Sequence, residues 1–368
     1  MKTKVIAMYL PQYHEIEENS LFWGKGYTDW VGVKKAKPFM EGQIQPRVPL
    51  NNNYYDLSKV ETLRWQVDLA KQYGVYGFGI YHYWFNNEKN LLTKPAENLL
   101  NNKDIDMPFF FAWDNNSWKR TWSKIPGNDW APAVDRDNKK LYENGKEVLV
   151  EYILGEKPDW ENHFNYLLPF FKDDRYIKID GKPLFFIFSY SDKIVEMISY
   201  WNELAIKHGF NGMVVALQHT GKAWLNKKVE HIFDYEPAFV MSGLGNKLHY
   251  LKQKLFKTNK LHYSYDWMWK NIIRNAKYNN KKRIFDGCVV AFDDTPRRGE
   301  KARILVDSTP DKFYSYFSKL LKVCSKRNKE YVFLIAWNEW GEGAYLEPDS
   351  TNKYSYLEAI KKAVDDND

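Results

Sequence analysis

Residues 331–343 read Tyr331-Val332-Phe333-Leu334-Ile335-Ala336-Trp337-Asn338-Glu339-Trp340-Gly341-Glu342-Gly343. The first six residues are apolar and lead directly into a polar cluster with two carboxyl groups three residues apart. A short apolar run bounded by turn residues is typical of a strand covered on both faces. Gly341 and Gly343 permit positive φ angles, so the chain can turn and bring both carboxyls to one side. The segment therefore predicts a buried strand that ends in a pair of acids.

Similar apolar runs recur along the chain, and helical or irregular segments separate most of them. The eight predicted strands are Val5–Leu10, Gly77–Tyr83, Phe109–Trp113, Leu184–Tyr190, Met213–Gln218, Ile232–Glu236, Cys288–Phe292 and Val332–Trp337. Helices are predicted over Leu57–Tyr73, Asp192–His208, Asp311–Lys326 and Tyr354–Val364. Eight strands that alternate with helices predict an α/β fold, a (β/α)8 TIM barrel. A doubly wound sheet is the alternative, but no Gly-x-Gly-x-x-Gly turn follows the first strand.

The chain of 368 residues shows no linker rich in Pro, Gly or Ser. We therefore expect a single domain over 1–368, with long βα-loop insertions near 115–160 and 238–285. The two cysteines, Cys288 and Cys324, form no CxxC pair, which indicates reduced core residues. No apolar run reaches the length of a membrane span, and the first residues lack the apolar region and cleavage site of a secretory signal. A cytoplasmic location is expected.

The net charge of +7 is concentrated in one stretch of the chain. Residues 246–283 hold eleven Lys or Arg and one acid, Asp266, together with an aromatic cluster at 265–269. Three interpretations remain open: a solvated basic face, a patch for the inner membrane surface or a lipid-linked substrate, and a nucleic-acid patch. No nucleic-acid-binding motif accompanies the charge, so no nucleic-acid partner is expected. The sequence does not indicate an oligomeric state.

In a barrel of this type, chemistry takes place at the C-terminal ends of the strands. These ends carry aromatic, amide and acidic residues, which is the composition of a glycan site; aromatic residues make up 17% of the chain. The predicted catalytic residues are Glu339 and Glu342. The predicted substrate-binding residues are Tyr9, Gln12, Tyr81, His82, Tyr83, Trp84, Trp113, Asp114, Asn115, Glu236, Asp294, Arg297, Asn338 and Trp340.

Several of these residues have alternative interpretations. His82 stands among aromatic residues, where a wall residue is more common than a base. Asp293-Asp294 is compatible with a metal pair, with substrate contact or with structural pairing to Arg297-Arg298. The histidines show no zinc-binding spacing, and no Walker loop, Gly-x-Ser-x-Gly elbow or kinase motif set occurs. No metal and no cofactor are predicted.

Several motifs occur together and in a fixed order across almost the whole chain. They are Tyr9-Leu10-Pro11-Gln12-Tyr13-His14, Phe22-Trp23-Gly24-Lys25-Gly26-Tyr27-Thr28-Asp29-Trp30, Tyr54-Tyr55-Asp56-Leu57, Tyr76-Gly77-Phe78-Gly79-Ile80-Tyr81-His82-Tyr83-Trp84-Phe85, Asp180-Gly181-Lys182-Pro183, Asp294-Thr295-Pro296-Arg297-Arg298 and the stretch from Trp337 to Asp349. With these motifs the chain resembles the WbsX-like family of bacterial O-antigen and capsule proteins, which are often labelled glycosyltransferases. That family is similar to glycoside hydrolase family 99, the endo-α-mannosidases and endo-α-mannanases.

The resemblance implies roles for the two acids. In the hydrolases the first Glu of the motif is a base on the sugar 2-hydroxyl, which attacks the anomeric carbon to give an anhydro-sugar intermediate. The second Glu protonates the leaving oxygen and then deprotonates water. Carried over, Glu339 is the base and Glu342 the acid/base, which departs from the usual two-carboxylate scheme. The sequence differs from the hydrolases at Gly341, where they have a bulkier residue.

The resemblance predicts an enzyme of surface-polysaccharide metabolism that cleaves α-linked glycans. Its substrate would be a polysaccharide or a lipid-linked oligosaccharide. A glycosyltransferase of O-antigen or capsule biosynthesis is the first alternative, although no paired nucleotide-binding fold is apparent. A glycan-binding barrel without activity is the second alternative.

Overall fold

The computed structural model describes residues 2–120, 142–143, 146–243, 261–278 and 284–367. Eight parallel strands form a ring: β1 Lys4–Tyr9, β2 Gly77–Asn86, β3 Phe109–Trp113, β4 Lys182–Ile187, β5 Val214–Gln218, β6 His231–Phe233, β7 in two parts (Ile284–Phe285 and Gly287–Val289) and β8 Tyr331–Ile335. Each strand pairs in parallel with the next, and β8 pairs with β1. The predicted (β/α)8 barrel is confirmed.

The ring closes through β7, which changes partner at Asp286. Before Asp286 the strand pairs with β6, and after it with β8. The carbonyl of Asp286 itself accepts a hydrogen bond of 3.0 Å from the N–H of Phe333. A Cβ atom on Gly287 would lie 1.9 Å from the carbonyl oxygen of Asp234, so only glycine fits at this crossing. The strand predicted at Cys288–Phe292 therefore starts earlier, at Ile284.

A helix follows every strand of the ring before the next strand begins. The eight helices are α1 Val60–Gln72, α2 Lys94–Asn101, α3 Lys157–Lys172, α4 Asp192–Lys207, α5 Gly221–Leu225, α6 Tyr265–Tyr278, α7 Pro310–Lys326 and α8 Ser355–Asp365. The four helices predicted from the sequence correspond to α1, α4, α7 and α8. α1 begins three residues later than predicted because Lys59 has an extended backbone. α4 begins as predicted, since the Ser191 hydroxyl accepts a hydrogen bond from the N–H of Ile194.

Shorter elements decorate the ends of the barrel. The short helices are Glu17–Trp23, Trp30–Lys35, Ala238–Ser242 and Thr295–Arg298, with 3₁₀ turns at Leu50–Asn52, Gly299–Lys301 and Trp340–Glu342. The additional strands are Lys89–Leu91, Trp118–Lys119, Tyr142–Glu143, Lys146–Val150, Lys178–Ile179, His262–Ser264, Ile304–Val306, Asn338–Glu339 and Ala344–Tyr345.

The two predicted insertions are described in part. In the first, three of these strands form an antiparallel sheet between β3 and α3, and 121–141 and 144–145 lie outside the described residues. In the second, the described residues form Ala238–Ser242, His262–Ser264 and α6, and 244–260 and 279–283 lie outside them. Much of the basic segment 246–283 falls in these gaps, so its interpretation stays a prediction. No helix in the described part of the chain is long and apolar enough to cross a membrane.

Phenylalanine rings from alternating strand positions fill the interior of the barrel. The ring of Phe186 on β4 has its centroid 4.7 Å from that of Phe110, 4.4 Å from that of Phe233 and 4.8 Å from that of Phe333. Since β4 and β8 are not neighbours, these rings meet across the interior. Residues one position along each strand point outward to the helices. Cys288 and Cys324 are buried and unbonded to each other.

Candidate active site

A cleft of about 250 Å³ opens at the C-terminal ends of the strands. Its lining residues are Leu10, Gln12, Tyr81, Tyr83, Asp114, Asn116, Phe188, Gln218, Tyr235, Arg297, Glu339 and Glu342. They come from the ends of all eight strands or the loops that follow them, which is where barrel enzymes place their chemistry. The cleft contains both carboxyl groups that the sequence predicts to be catalytic.

A small hairpin after β8 holds these two acids. Asn338–Glu339 pairs antiparallel with Ala344–Tyr345, and the 3₁₀ turn Trp340–Glu342 connects the two strands. The side-chain amide of Asn338 fixes the hairpin to the end of β1: its Oδ1 accepts a hydrogen bond of 2.8 Å from the Leu10 N–H, and its Nδ2 donates one of 2.9 Å to the Leu10 carbonyl. Glu339 and Glu342 consequently project from a turn that hydrogen bonds attach to the end of β1.

The guanidinium of Arg297 lies between the two acids. Its Nη1 donates a hydrogen bond of 2.9 Å to Glu342 Oε1, and its Nη2 lies 3.1 Å from Glu339 Oε1. The same Nη2 donates to Asp29 Oδ2 at 2.9 Å. Gln12 holds Asp29 in place through a hydrogen bond of 2.7 Å from its Nε2. One cation therefore contacts three carboxyl groups, which places Glu339 and Glu342 side by side.

Gly341 provides the space for that guanidinium. A Cβ atom at this position would lie 2.9 Å from Arg297 Nε and 3.1 Å from its Cζ, closer than such atoms normally approach. The N–H of Gly341 donates to the hydroxyl of Tyr13 at 3.2 Å. Gly341 is thus the residue against which Arg297 packs.

Burial decides the protonation of Glu339. Its side chain is 6% exposed, and this loss of solvent raises the pKa of Glu339 to about 8. The guanidinium of Arg297 acts in the opposite direction, while the negative charges of Glu342 and Asp29 raise the pKa further. Burial also raises the pKa of Asp114, another residue that lines the cleft. Burial therefore favours the neutral form of the Glu339 carboxyl.

Four aromatic rings form a wall of the cleft. The rings of Tyr81 and Phe188 stack with centroids 5.2 Å apart, and the ring of Tyr235 meets Phe188 edge-on at 5.1 Å. The Tyr81 hydroxyl donates to that of Tyr235. Tyr83 lies beside this group and donates to Gln12 Oε1 at 3.4 Å. Such a surface suits the apolar faces of sugar rings, and its hydroxyls and amides suit their polar edges.

Glu347 supports the hairpin from behind and is itself fully buried. Its carboxyl accepts hydrogen bonds from Tyr55 Oη at 2.7 Å, from Gln66 Nε2 at 2.6 Å and from Trp340 Nε1 at 2.7 Å. Burial outweighs these donors and raises the pKa of Glu347 to about 7. The Trp340 ring also stacks on Tyr345 with centroids 3.7 Å apart.

The structure brings seven of the predicted site residues together at the cleft. They are Gln12, Tyr81, Tyr83, Asp114, Arg297, Glu339 and Glu342. Sequence reasoning did not select Asn116, Phe188, Gln218 and Tyr235, which follow strand ends and line the same cleft, or Asp29, which pairs with Arg297. Asp29 lies within one of the motifs that carry the family resemblance, and this position in a motif was the feature of the sequence that could have identified it as a site residue.

Five predicted residues face the helices because neighbouring strand positions point to opposite sides. The Tyr9 hydroxyl donates to Gln66 of α1. The rings of His82 and Trp84 pack on His163 of α3, and Trp113 packs on His163 and Trp201. Glu236 accepts a hydrogen bond from the Val240 N–H. None of these five lines the described cleft: Tyr9, His82, Trp84, Trp113 and Glu236.

The other four residues outside the cleft stabilise its surroundings. Asp294 is fully buried and pairs with Arg298 and Arg303 at 2.9 and 2.8 Å, which favours the structural-pairing interpretation. The Asn115 amide bonds the backbone of Ser189. Asn338 and Trp340 hold the hairpin, as described above. Within the described residues, no group of three or more His, Cys, Asp or Glu is arranged to hold a metal ion.

A sequence model of the family described as Glycosyltransferase WbsX matches residues 5–360. The chain belongs to the WbsX family. This confirms the resemblance noted in the sequence. Two curated relatives, both named "Uncharacterized protein WxcX" and both from strains of Xanthomonas campestris pv. campestris, are 26% identical over 98% of this chain. The chain spans about half the length of these relatives, 49%.

Solved structures share the fold of this WbsX-family protein. An endo-α-mannosidase of glycoside hydrolase family 99 from Bacteroides thetaiotaomicron is similar with a TM-score of 0.58 and 14% identity, over 99% of this chain and 97% of that one. A structure titled "Glycoside hydrolase-like protein" also has a TM-score of 0.58, with 11% identity over 98% and 94% of the two chains. These likenesses show a common (β/α)8 barrel.

Proposed function

We propose that this WbsX-family protein is a carbohydrate-active enzyme that cleaves α-linked glycosidic bonds of bacterial surface polysaccharides. The observation that carries the proposal is the pair Glu339 and Glu342, which meet at one guanidinium inside an aromatic-walled cleft. Cleavage of a glycosidic bond needs a proton donor for the leaving oxygen and a base for the attacking oxygen. Two carboxyls that differ in burial can supply both functions at one pH.

The surroundings of the pair support a sugar substrate. Tyr81, Phe188 and Tyr235 supply ring faces, and Gln12, Asp114, Asn116 and Gln218 supply hydrogen-bonding groups around them. The cleft is open to solvent at Glu342, whose side chain is 24% exposed. The substrate class that we propose is a polysaccharide or a lipid-linked oligosaccharide, used on the cytoplasmic side of the inner membrane. The basic segment 246–283 would contact anionic lipid there.

The reaction is tested with the glycan made by the same gene cluster, either as polymer or as lipid-linked repeat unit. The purified protein is incubated with it in ¹⁸O-labelled water, with and without added nucleotide sugars, and the products are analysed by mass spectrometry. We expect one labelled oxygen at each new reducing end without any nucleotide sugar. Product formation only with a nucleotide sugar, and without label, would contradict hydrolysis.

A glycosyltransferase is the second candidate, and the description of the matching family favours it. The same carboxyl pair could then act as a base on an acceptor hydroxyl. This alternative predicts saturable binding of a nucleotide sugar or a lipid diphosphate sugar, which isothermal titration calorimetry measures. A glycan that binds but gives neither product would indicate a binding protein.

A further inference from the structure

The guanidinium of Arg297 contacts the two acids unequally. Nη1 makes a hydrogen bond of 2.9 Å with Glu342, whereas Nη2 divides its two N–H groups between Asp29 at 2.9 Å and Glu339 at 3.4 Å. Glu339 Oε1 is nearer, at 3.1 Å, but no donor among the described residues meets it in hydrogen-bond geometry. Glu342 is therefore the better-paired acid.

The two acids also differ in their exposure to solvent, and Glu342 is again the one whose charge is better stabilised. The Glu342 side chain is 24% exposed and the Glu339 side chain 6%. A carboxylate that is both hydrated and charge-paired keeps its negative charge, while a buried and poorly paired one binds a proton.

The neighbouring charged groups agree with this assignment. Asp29 places a further negative charge beside Glu339, and the hydroxyls of Tyr13, Tyr81 and Tyr83 lie near it, whereas the Tyr235 hydroxyl interacts more strongly with Glu342. On the side of Glu342, Asp294 and Arg303 form an ion pair of their own and largely offset each other.

We infer that Arg297 is a positioning residue that leaves the proton of the pair on Glu339 and holds Glu342 as the carboxylate. Gly341 makes this possible, because a side chain there would displace the guanidinium. The consequence for catalysis rests on the proposed glycosidase function. Glu339 would donate its proton to the glycosidic oxygen as the bond to the anomeric carbon breaks.

Glu342 would then take a proton from the attacking hydroxyl or water as the new bond to that carbon forms. Glu339 ends as carboxylate and Glu342 as acid, and proton exchange with solvent restores the starting state. This order is the reverse of the one that the family resemblance implies for the two acids.

Protonation is measured directly, without substrate, by ¹³C NMR of protein labelled at the glutamate side-chain carboxyl carbon. The signals are assigned from Glu339→Gln and Glu342→Gln. At pH 7 we expect the Glu339 signal at the neutral position and the Glu342 signal at the ionised position. Arg297→Met and Gly341→Ala should move the Glu342 signal toward the neutral position, and Arg297→Lys should restore part of the difference between the two signals.

Two matched controls test whether the change is specific. Lys301→Met removes an exposed cation of the adjacent 3₁₀ turn, and Gly221→Ala adds a Cβ with nothing within 4 Å. Neither should alter the two signals. A neutral Glu342 beside an ionised Glu339, or titration that Arg297→Met leaves unchanged, would overturn the inference. Since no turnover is needed, absence of glycosidase activity does not affect this result.

Leaving-group chemistry tests the catalytic consequence. An aryl glycoside with a strongly acidic phenol needs no proton donor, so it should restore the rate of the variant that lacks the acid. We expect restoration by ~10²-fold or more in Glu339→Gln and little in Glu342→Gln. Restoration in Glu342→Gln instead would support the order seen in the hydrolases and refute exchanged roles. If the wild type cleaves no glycoside at all, the proposed function fails while the NMR result stands.

Discussion

Glu347 should make folding stability depend on pH in a direction unusual for a carboxyl. Burial raises its pKa from 4.5 to about 7 in the folded protein. The folded state then binds the proton more tightly than the unfolded state does. The resulting stabilisation is fully present below about pH 4.5 and is lost as the pH rises through about 7. An ordinary ion-paired carboxylate behaves in the opposite way.

The size of this effect follows from the two pKa values. The shift from 4.5 to about 7, at 1.36 kcal/mol for each pKa unit, gives roughly 3 kcal/mol. Glu347 is 3% exposed, so solvent screening reduces this little. Glu347→Gln cannot titrate and should lack this component. Glu339 also has a raised pKa, but it is present in both proteins and cancels in the comparison.

The assay is urea unfolding followed by circular dichroism between pH 4.5 and pH 8. We expect the stability of the wild type relative to Glu347→Gln to fall by roughly 3 kcal/mol over this range. Glu300→Gln, a change at an exposed acid, is the control and should show no such trend. A relative stability that stays constant or rises with pH would refute the reasoning. It would mean that Tyr55, Gln66 and Trp340 stabilise an ionised carboxylate.

Two further substitutions test how the barrel and the hairpin are held. Gly287→Ala should destabilise the protein by ~1–3 kcal/mol, because its Cβ would overlap the Asp234 carbonyl. The control Gly221→Ala adds a Cβ in open space and should change the melting temperature little. Equal melting temperatures for the two variants would contradict the closure of the barrel at β7. Asn338→Ala should destabilise the protein by ~1–3 kcal/mol for each buried backbone group of Leu10 that loses its hydrogen bond. It should also lower the rate, because the hairpin that carries the two acids is then less well held. Unchanged stability and rate would show that the Asn338–Leu10 hydrogen bonds are not needed.

The apolar runs were sufficient to predict the barrel because each strand is buried on both faces. The predicted strand boundaries differ from the observed ones where pairing with another strand, and not an apolar run, defines the strand. β7 begins at Ile284, ahead of the run that marks it, since its first part pairs only with β6. That pairing depends on residues distant in sequence, and local composition does not report it.

The sequence predicted that the strand ends together form the site, but it did not predict which residues face the cleft and which face the helices. Tyr81 and Tyr83 enter the cleft, while His82 and Trp84 between and beyond them face α3. The structure shows the side at Gly79: a Cβ there would lie 2.7 Å from Phe110, an interior ring, so strand positions of the same parity as Gly79 face the interior. Arg297 was expected as a substrate contact, and its placement between the acids depends on the tertiary fold.

The most direct test of the central claim is the rate of glycan cleavage by Glu339→Gln and Glu342→Gln, with Glu300→Gln as the control. The glycan is the one that the wild type cleaves in labelled water. General acid–base catalysis typically contributes ~10²–10⁴-fold, so we expect kcat/KM to fall by that factor in each variant of the pair and to remain at the wild-type value in the control. Full activity in both Glu339→Gln and Glu342→Gln would contradict the assignment of this cleft as the catalytic site.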